Sequence, residues 1–169
     1  MKWRIAAAVF ALLLTAVPAS AQTSRDATRE SLRGLLTTAG QRSDVNVTFQ
    51  QSTKNPYNFF GSMTGFTYSD SLECVVSVTK SDTVGFRIYP HYKKAYINIK
   101  KAKNPSALMT KLLLLSDLNF LFWGADDNGD VFAGYTITLE SGFPSDAMLV
   151  VLRSIRNTDK FVGEMAPYI

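Results

Sequence analysis

A chain of 169 residues, 46% of them hydrophobic and 19% charged, is long enough for one packed domain and too apolar to stay disordered. Its 18 Lys and Arg against 14 Asp and Glu give a formal charge of +4, too slight a surplus to mark a nucleic-acid binder. With one Cys and one His it can close no internal disulfide and cannot supply the three or four ligands of a zinc site.

The first residues carry an address. Lys2 and Arg4 precede an apolar run from Ile5 to Val17, and Ala19-Ser20-Ala21 puts small residues where a signal peptidase cuts. This predicts a leader over residues 1 to 21, cleaved before Gln22, and an exported chain, periplasmic or secreted. The run is shorter than the ~20 residues of a spanning helix, so no integral membrane segment is expected after cleavage. Removing Lys2 and Arg4 with the leader leaves 16 basic against 14 acidic residues in a single domain, 22–169.

Ser24 to Gly40 reads as an amphipathic helix, with Leu32, Leu35, Leu36 and Ala39 on one stripe, Thr23 and Ser24 as caps and Gly40 as its stop. A stripe of that ordinary width suits packing on the domain's own sheet rather than on a membrane. Val45 to Gln50 alternates like a strand, and Asn55-Pro56 turns. Tyr57, Phe59, Phe60, Phe66 and Tyr68, interleaved with Gly61 and Gly65, predict a glycine-relieved strand whose rings fill the core. Glu73 to Thr79 and Val84 to Tyr89 are strands, with Cys74 beside Leu72, Val76 and Val78 on one face as a buried structural thiol. Pro90-His91 is expected to turn, leaving His91 exposed, and Ala95 to Lys100 to return as a strand. Connections this short make the pairing antiparallel.

Asn104-Pro105 is an N-cap followed by proline at the first helical position. Leu108, Met109 and Leu112 to Leu115 then leave little polar face, so the helix is expected to be buried on more than one side or to form a subunit interface through Leu112, Leu113 and Leu115. Phe120 to Ala125 and Val131 to Leu139 flank Asn128-Gly129, which predicts a hairpin closed by a two-residue turn. Gly142-Phe143-Pro144-Ser145 opens a third helix with Met148, Val151, Leu152 and Ile155 on one stripe. Asn157-Thr158 interrupts it before Phe161, Val162 and Met165. The fold class is α+β: helices packed on a mainly antiparallel sheet in the order helix, several strands, helix, two strands, helix.

Chemistry is sparse. Asp126, Asn128 and Asp130 alternate as in a calcium loop, but Val131 stands where that loop needs Gly and Ile137 where it needs Glu. No Gly-x-Ser-x-Gly elbow and no glycine-rich phosphate loop occurs, and His91 is the sole candidate base for a triad. A hydrolase built on Glu73, Glu140 and the hairpin acids is the one enzymatic reading left, and no cofactor is expected. Lys93, Lys94, Lys100, Lys101 and Lys103, with Tyr92 and Tyr96, suit an anionic polymer or membrane surface, or else guard an exposed strand from stray pairing.

From the second helix onward the chain resembles the YbjN family of bacterial proteins, described as sensory transduction regulators. The likeness lies in an apolar helix, a hairpin with an aromatic first strand and an acidic Asp-Asn-Gly turn, then Gly142-Phe143-Pro144-Ser145 before a last helix with a late Phe161. Leu112 to Leu115 replace the polar, Trp-containing helix end usual in that family. The resemblance implies a type III secretion chaperone-like fold and a small non-enzymatic module whose partner is another polypeptide or a second copy.

Overall fold

A computed structural model describes residues 25–169; the expected leader and the capping residues Thr23 and Ser24 lie outside the described residues. Helix α1 (Arg25–Gly40) leads into β1 (Gln50–Gln51), β2 (Asn58–Thr64), β3 (Ser71–Val78), β4 (Thr83–Tyr92) and β5 (Ala95–Tyr96). A 3-10 turn, Ile99–Lys101, precedes α2 (Pro105–Leu118), and β6 (Phe122–Ala125) and β7 (Val131–Thr138) form the hairpin. Helix α3 (Ser145–Ser154) then passes through a 3-10 turn, Ile155–Thr158, into α4 (Asp159–Met165). Among the described residues the seven strands form one sheet in the order β1-β2-β3-β4-β7-β6, antiparallel throughout, with β5 on the end of β4. The expected α+β class and element order are present.

Among the described residues the four α-helices lie on one face of the sheet. Strand β3 shows why: Leu72, Cys74, Val76 and Val78 are buried while Ser71, Glu73, Val75 and Ser77 alternate half-exposed, the period-2 pattern of a sheet covered on one side. Leu32 and Leu36 of α1, Leu108, Leu112 and Leu115 of α2, Met148 and Leu152 of α3, and Val162 and Met165 of α4 close over that inner face. Burial pushes the Cys74 thiol up to about 12, with a smaller push from Glu73, so it stays protonated as the sequence suggested.

Four local readings change in three dimensions. Only Gln50–Gln51 of the expected Val45 to Gln50 strand pairs in the sheet; Val45 and Val47 are buried by an irregular segment whose Val47 N–H donates to the Gly40 carbonyl at 2.9 Å. Pro90-His91 is not a turn, because β4 runs through it to Tyr92 and the chain reverses at Lys93-Lys94, both at positive φ (52° and 63°). Pro90 fits inside a strand because the Ile97 carbonyl, which would otherwise receive the missing N–H, accepts from Val131 at 2.8 Å instead, while Ile97 donates to the Pro90 carbonyl at 3.4 Å. The expected strand Ala95 to Lys100 therefore shrinks to two residues. Finally, the hairpin turn has three residues. The Gly129 N–H donates to Asp126 O at 2.8 Å, the Asp126 N–H to Asp130 O at 3.0 Å, and of its residues only Gly129 has positive φ (90°).

The aromatic segment also divides. Phe59 fills the core as expected, whereas Phe60 points to the opposite face and Tyr68 lies at the surface over Gly163. The loop holding Tyr68 is fixed by Asp159 at the start of α4. Its carboxylate accepts the N–H groups of Thr67 (3.0 Å), Tyr68 (3.2 Å) and Ser69 (2.7 Å) and the Ser69 hydroxyl (2.6 Å). Burial alone would raise this carboxyl's pKa, but the donors of Ser69, Thr67 and Tyr68 outweigh it and hold the pKa below the ordinary Asp value.

Two outcomes check these contacts. Because the Asp159 pKa is depressed, its stabilisation is complete above the ordinary Asp value of about 4 and is lost as pH falls through the native pKa. Asp159→Asn should cost about 2 kcal/mol in urea unfolding at pH 7, and its deficit against the parent should shrink steadily towards pH 2. Replacing Lys93-Lys94 by Asn-Gly, the pair suited to two positive φ angles, should raise stability by about 1 kcal/mol; a loss would contradict the turn.

Candidate functional site

The face of the sheet without helices carries a ladder of rings. Register places Phe60, Val75, Arg87, Gly134 and Phe122 side by side on successive strands from β2 to β6. A Cβ on Gly134 would sit 2.5 Å from the Phe122 ring, so glycine there lets that ring fold flat over β7. Phe122 meets Phe132 (centroids 5.9 Å), Phe132 meets Tyr89 (5.6 Å), Tyr89 meets Tyr96 (5.9 Å), and Tyr96 meets His91 (4.3 Å). The Arg87 guanidinium lies over Phe132 at 4.7 Å. Of these groups Phe60, Val75, Arg87, Tyr89, Tyr96 and Phe122 line a groove of about 580 Å³ that adjoins a second of about 820 Å³ at Phe60 and Glu73.

Glu73 is the polar centre of this face. The Tyr96 hydroxyl donates to it at 2.8 Å, and His91 Nε2, buried and without a hydrogen-bond partner, stands 3.7 Å away. His91 is thus half-buried inside the sheet rather than exposed in a turn. Burial, then the Glu73 hydrogen bond and charge, push the Tyr96 phenol up to about 12.

Asp126 and Asp130 line the same groove, yet their carboxylates hold the hairpin together. Asp126 accepts the N–H groups of Asn128 (2.9 Å) and Asp130 (3.0 Å), and Asp130 accepts Asn98 Nδ2 (2.7 Å). Glu140 lies past the far end of β7 and does not join them. Among the described residues no group of three or more His, Cys, Asp or Glu is placed to hold a metal ion.

The five lysines fall into two groups. Lys93 and Lys94 form the β4–β5 turn, where the Lys94 N–H donates to Asp70 at 2.6 Å. Lys100, Lys101 and Lys103 surround the 3-10 turn before α2, and Lys100 reaches across the acidic hairpin turn to the Asp127 carbonyl at 3.2 Å. Part of the basic cluster therefore sits beside carboxylates.

Helix α2 corrects the expected interface. Leu112 and Leu115 are buried in the chain's own core with Leu108, and of the three named residues only Leu113 faces outward. What sequence reading missed is how much of the helix stays uncovered: Met109, Leu114 and Leu118 are exposed with Leu113, and so are Phe120 and Phe122 just beyond. A helical wheel resolves this surface into two apolar flanks, Met109–Leu113 and Leu114–Leu118, on either side of a polar ridge of Ser106, Thr110 and Asp117. The first flank borders β6, where the Ser116 hydroxyl accepts the Trp123 N–H at 2.7 Å. The second borders α4 through the Lys111–Glu164 ion pair. What distinguishes this surface from an ordinary helix back is the number of large apolar side chains it leaves in water.

The chain matches no family model, no curated protein and no solved structure. Among the described residues no helix is long and apolar enough to cross a membrane.

The groove geometry has a spectroscopic consequence. A tyrosine titrating near 12 should be seen by ultraviolet absorbance, vanish in Tyr96→Phe, and move towards the ordinary value of about 10 in Glu73→Gln, because the carboxylate no longer opposes the phenolate.

Proposed function

We propose that this chain is a non-enzymatic interaction module, chaperone-like in that it works by offering apolar surface to another polypeptide. The observation that carries the reading is the run of large apolar side chains left in water between Met109 and Phe122, with Leu113 71%, Leu118 74%, Leu114 54% and Phe120 52% exposed. Burying one such side chain fully is worth about 1.5–3 kcal/mol, so a partner that covers several of them gains affinity without any charged contact. A surface of this kind is uncommon on a chain with no partner.

Two further features support the reading. The acids of the sheet groove are engaged by neutral donors that shape the hairpin and hold Tyr96, which leaves the carboxylate-hydrolase alternative without a free pair. The resemblance to YbjN proteins and to type III secretion chaperones points to the same kind of activity. The same reading takes residues 1 to 21 as a leader and places the working chain in the periplasm or outside the cell.

The test uses a reduced, carboxymethylated protein that cannot fold as the probe. The chain from Gln22 onward should bind it and should suppress its aggregation. Leu118→Glu, at an exposed position, should weaken binding at least tenfold while shifting the melting temperature by no more than about 2 °C. Equal binding by parent and variant would refute the assignment of the surface.

A further inference from the structure

Three rows of side chains cross the helix-free face of the sheet. The middle row is the one from Phe60 through Val75, Arg87 and Gly134 to Phe122, and its two rings, both exposed, stand at its ends. Their strands are four spacings apart, about 19 Å along the sheet. A second row lies two residues away on each strand, because Asn58 pairs with Ser77, Ser77 with Gly85 and Gly85 with Thr136. It offers an amide and two hydroxyls, and a Cβ on Gly85 would meet nothing within 4 Å, so the floor of the groove is open there. On the other flank Ser62 pairs with Glu73 and Glu73 with Tyr89, and the Tyr96 hydroxyl donates to Glu73. A stripe with a ring at each end is thus bordered on both sides by hydrogen-bonding groups.

The charges in this groove are of both signs and do not pair with each other. Glu73 accepts the Tyr96 hydroxyl and keeps acceptor capacity on its two oxygens. The Arg87 guanidinium lies over Phe132 and makes one long hydrogen bond, 3.5 Å, to the Tyr89 hydroxyl, which leaves most of its N–H donors to the groove. A cationic chain laid along the stripe would meet Arg87, and an anionic one would meet Glu73. An extended peptide is read by a sheet through an unpaired edge, whereas this stripe crosses interior strands whose main-chain groups are already paired. A chain of pyranose rings fits the lining as it stands. Its faces are C–H, the positive edge of a bond that suits the negative face of an aromatic ring, and its rims carry hydroxyls that each donate and accept.

We propose that this groove binds a neutral linear glycan, laid across the strands from Phe60 to Phe122. Its sugar faces rest on those two rings, and its hydroxyls bond to Glu73 and Arg87 and to the row of Asn58, Ser77 and Thr136. Asp126 and Asp130 are engaged within the hairpin, so among the described groove residues Glu73 has no free carboxyl partner and the site holds its ligand without cleaving it.

This inference goes beyond the function proposed for the back of α2 and does not rest on it. Calorimetric titration of the chain from Gln22 onward uses four probes: cello- and chito-oligosaccharides, which are neutral, chitosan oligosaccharide, which is cationic, and oligogalacturonate, which is anionic. A neutral probe should bind in the millimolar range or tighter, with no loss on adding salt. Phe60→Ala and Phe122→Ala, both at exposed positions, should each weaken it about tenfold with little change in melting. Gly85→Leu removes no contact but fills the open floor, and should abolish binding while leaving the fold at least as stable. Leu118→Glu, outside the groove, should bind the glycan as the parent does, so loss of the unfolded-protein probe and loss of the glycan are separate results. Binding of a charged probe alone, weakened by salt, would make the ligand an ion and overturn the proposal. Binding of none of the four would overturn it too, and equal binding by the parent and all three groove variants would overturn the site.

Discussion

A seven-stranded sheet covered by helices on one side is the constraint from which most of this molecule follows. The inner face can be filled with Val, Leu, Ile and Phe, and it is: β3 and β4 supply Leu72, Val76, Val84, Phe86 and Ile88 at nearly zero exposure. Among the described residues no second layer excludes water from the outer face. It answers with side chains that cover one another, Phe122 over Gly134 and Arg87 over Phe132, and with hydroxyls, amides and carboxylates around them. Ring pairs of this geometry contribute about 0.5–1.5 kcal/mol each beyond their burial, which is enough to shape a face without a helix on it.

The same constraint leaves two edges. One ends in β1, only two residues long, and the other in β6, whose outward-pointing Trp123 N–H is taken by Ser116 of α2. A short strand and a capped donor both discourage edge-to-edge pairing. The Ser116 hydroxyl thus does for the β6 edge what brevity does for β1.

Much of the architecture was legible because its signals are local. Asn104 caps α2 through its side chain, as Asn-Pro announced, and Asp126 to Asp130 turn the hairpin where Asp-Asn-Gly said they would. The misreadings share a cause. Pro90 reads as a breaker until Val131, forty-one positions away, takes the carbonyl its missing N–H would have needed. Leu112 to Leu115 left burial and an interface as alternatives, because composition says how apolar a helix is, not which of its sides the fold covers. The structure splits the run, burying Leu112 and Leu115 and leaving Leu113 and Leu114 exposed. The Glu73, His91 and Tyr96 cluster was harder still, since it joins adjacent strands whose register no single segment specifies.

The sheet's central strand, β4, is flanked by β3 and by β7, and β7 begins forty-eight residues after β4 starts. The clamp that fixes the Thr67 to Ser69 loop comes later still, from Asp159. A chain made from its N-terminus therefore leaves one long side of β4 unpaired until β7, and leaves the Thr67 to Ser69 loop unclamped until α4, has been made. Strand order has thus set the time at which this protein stops being a thread.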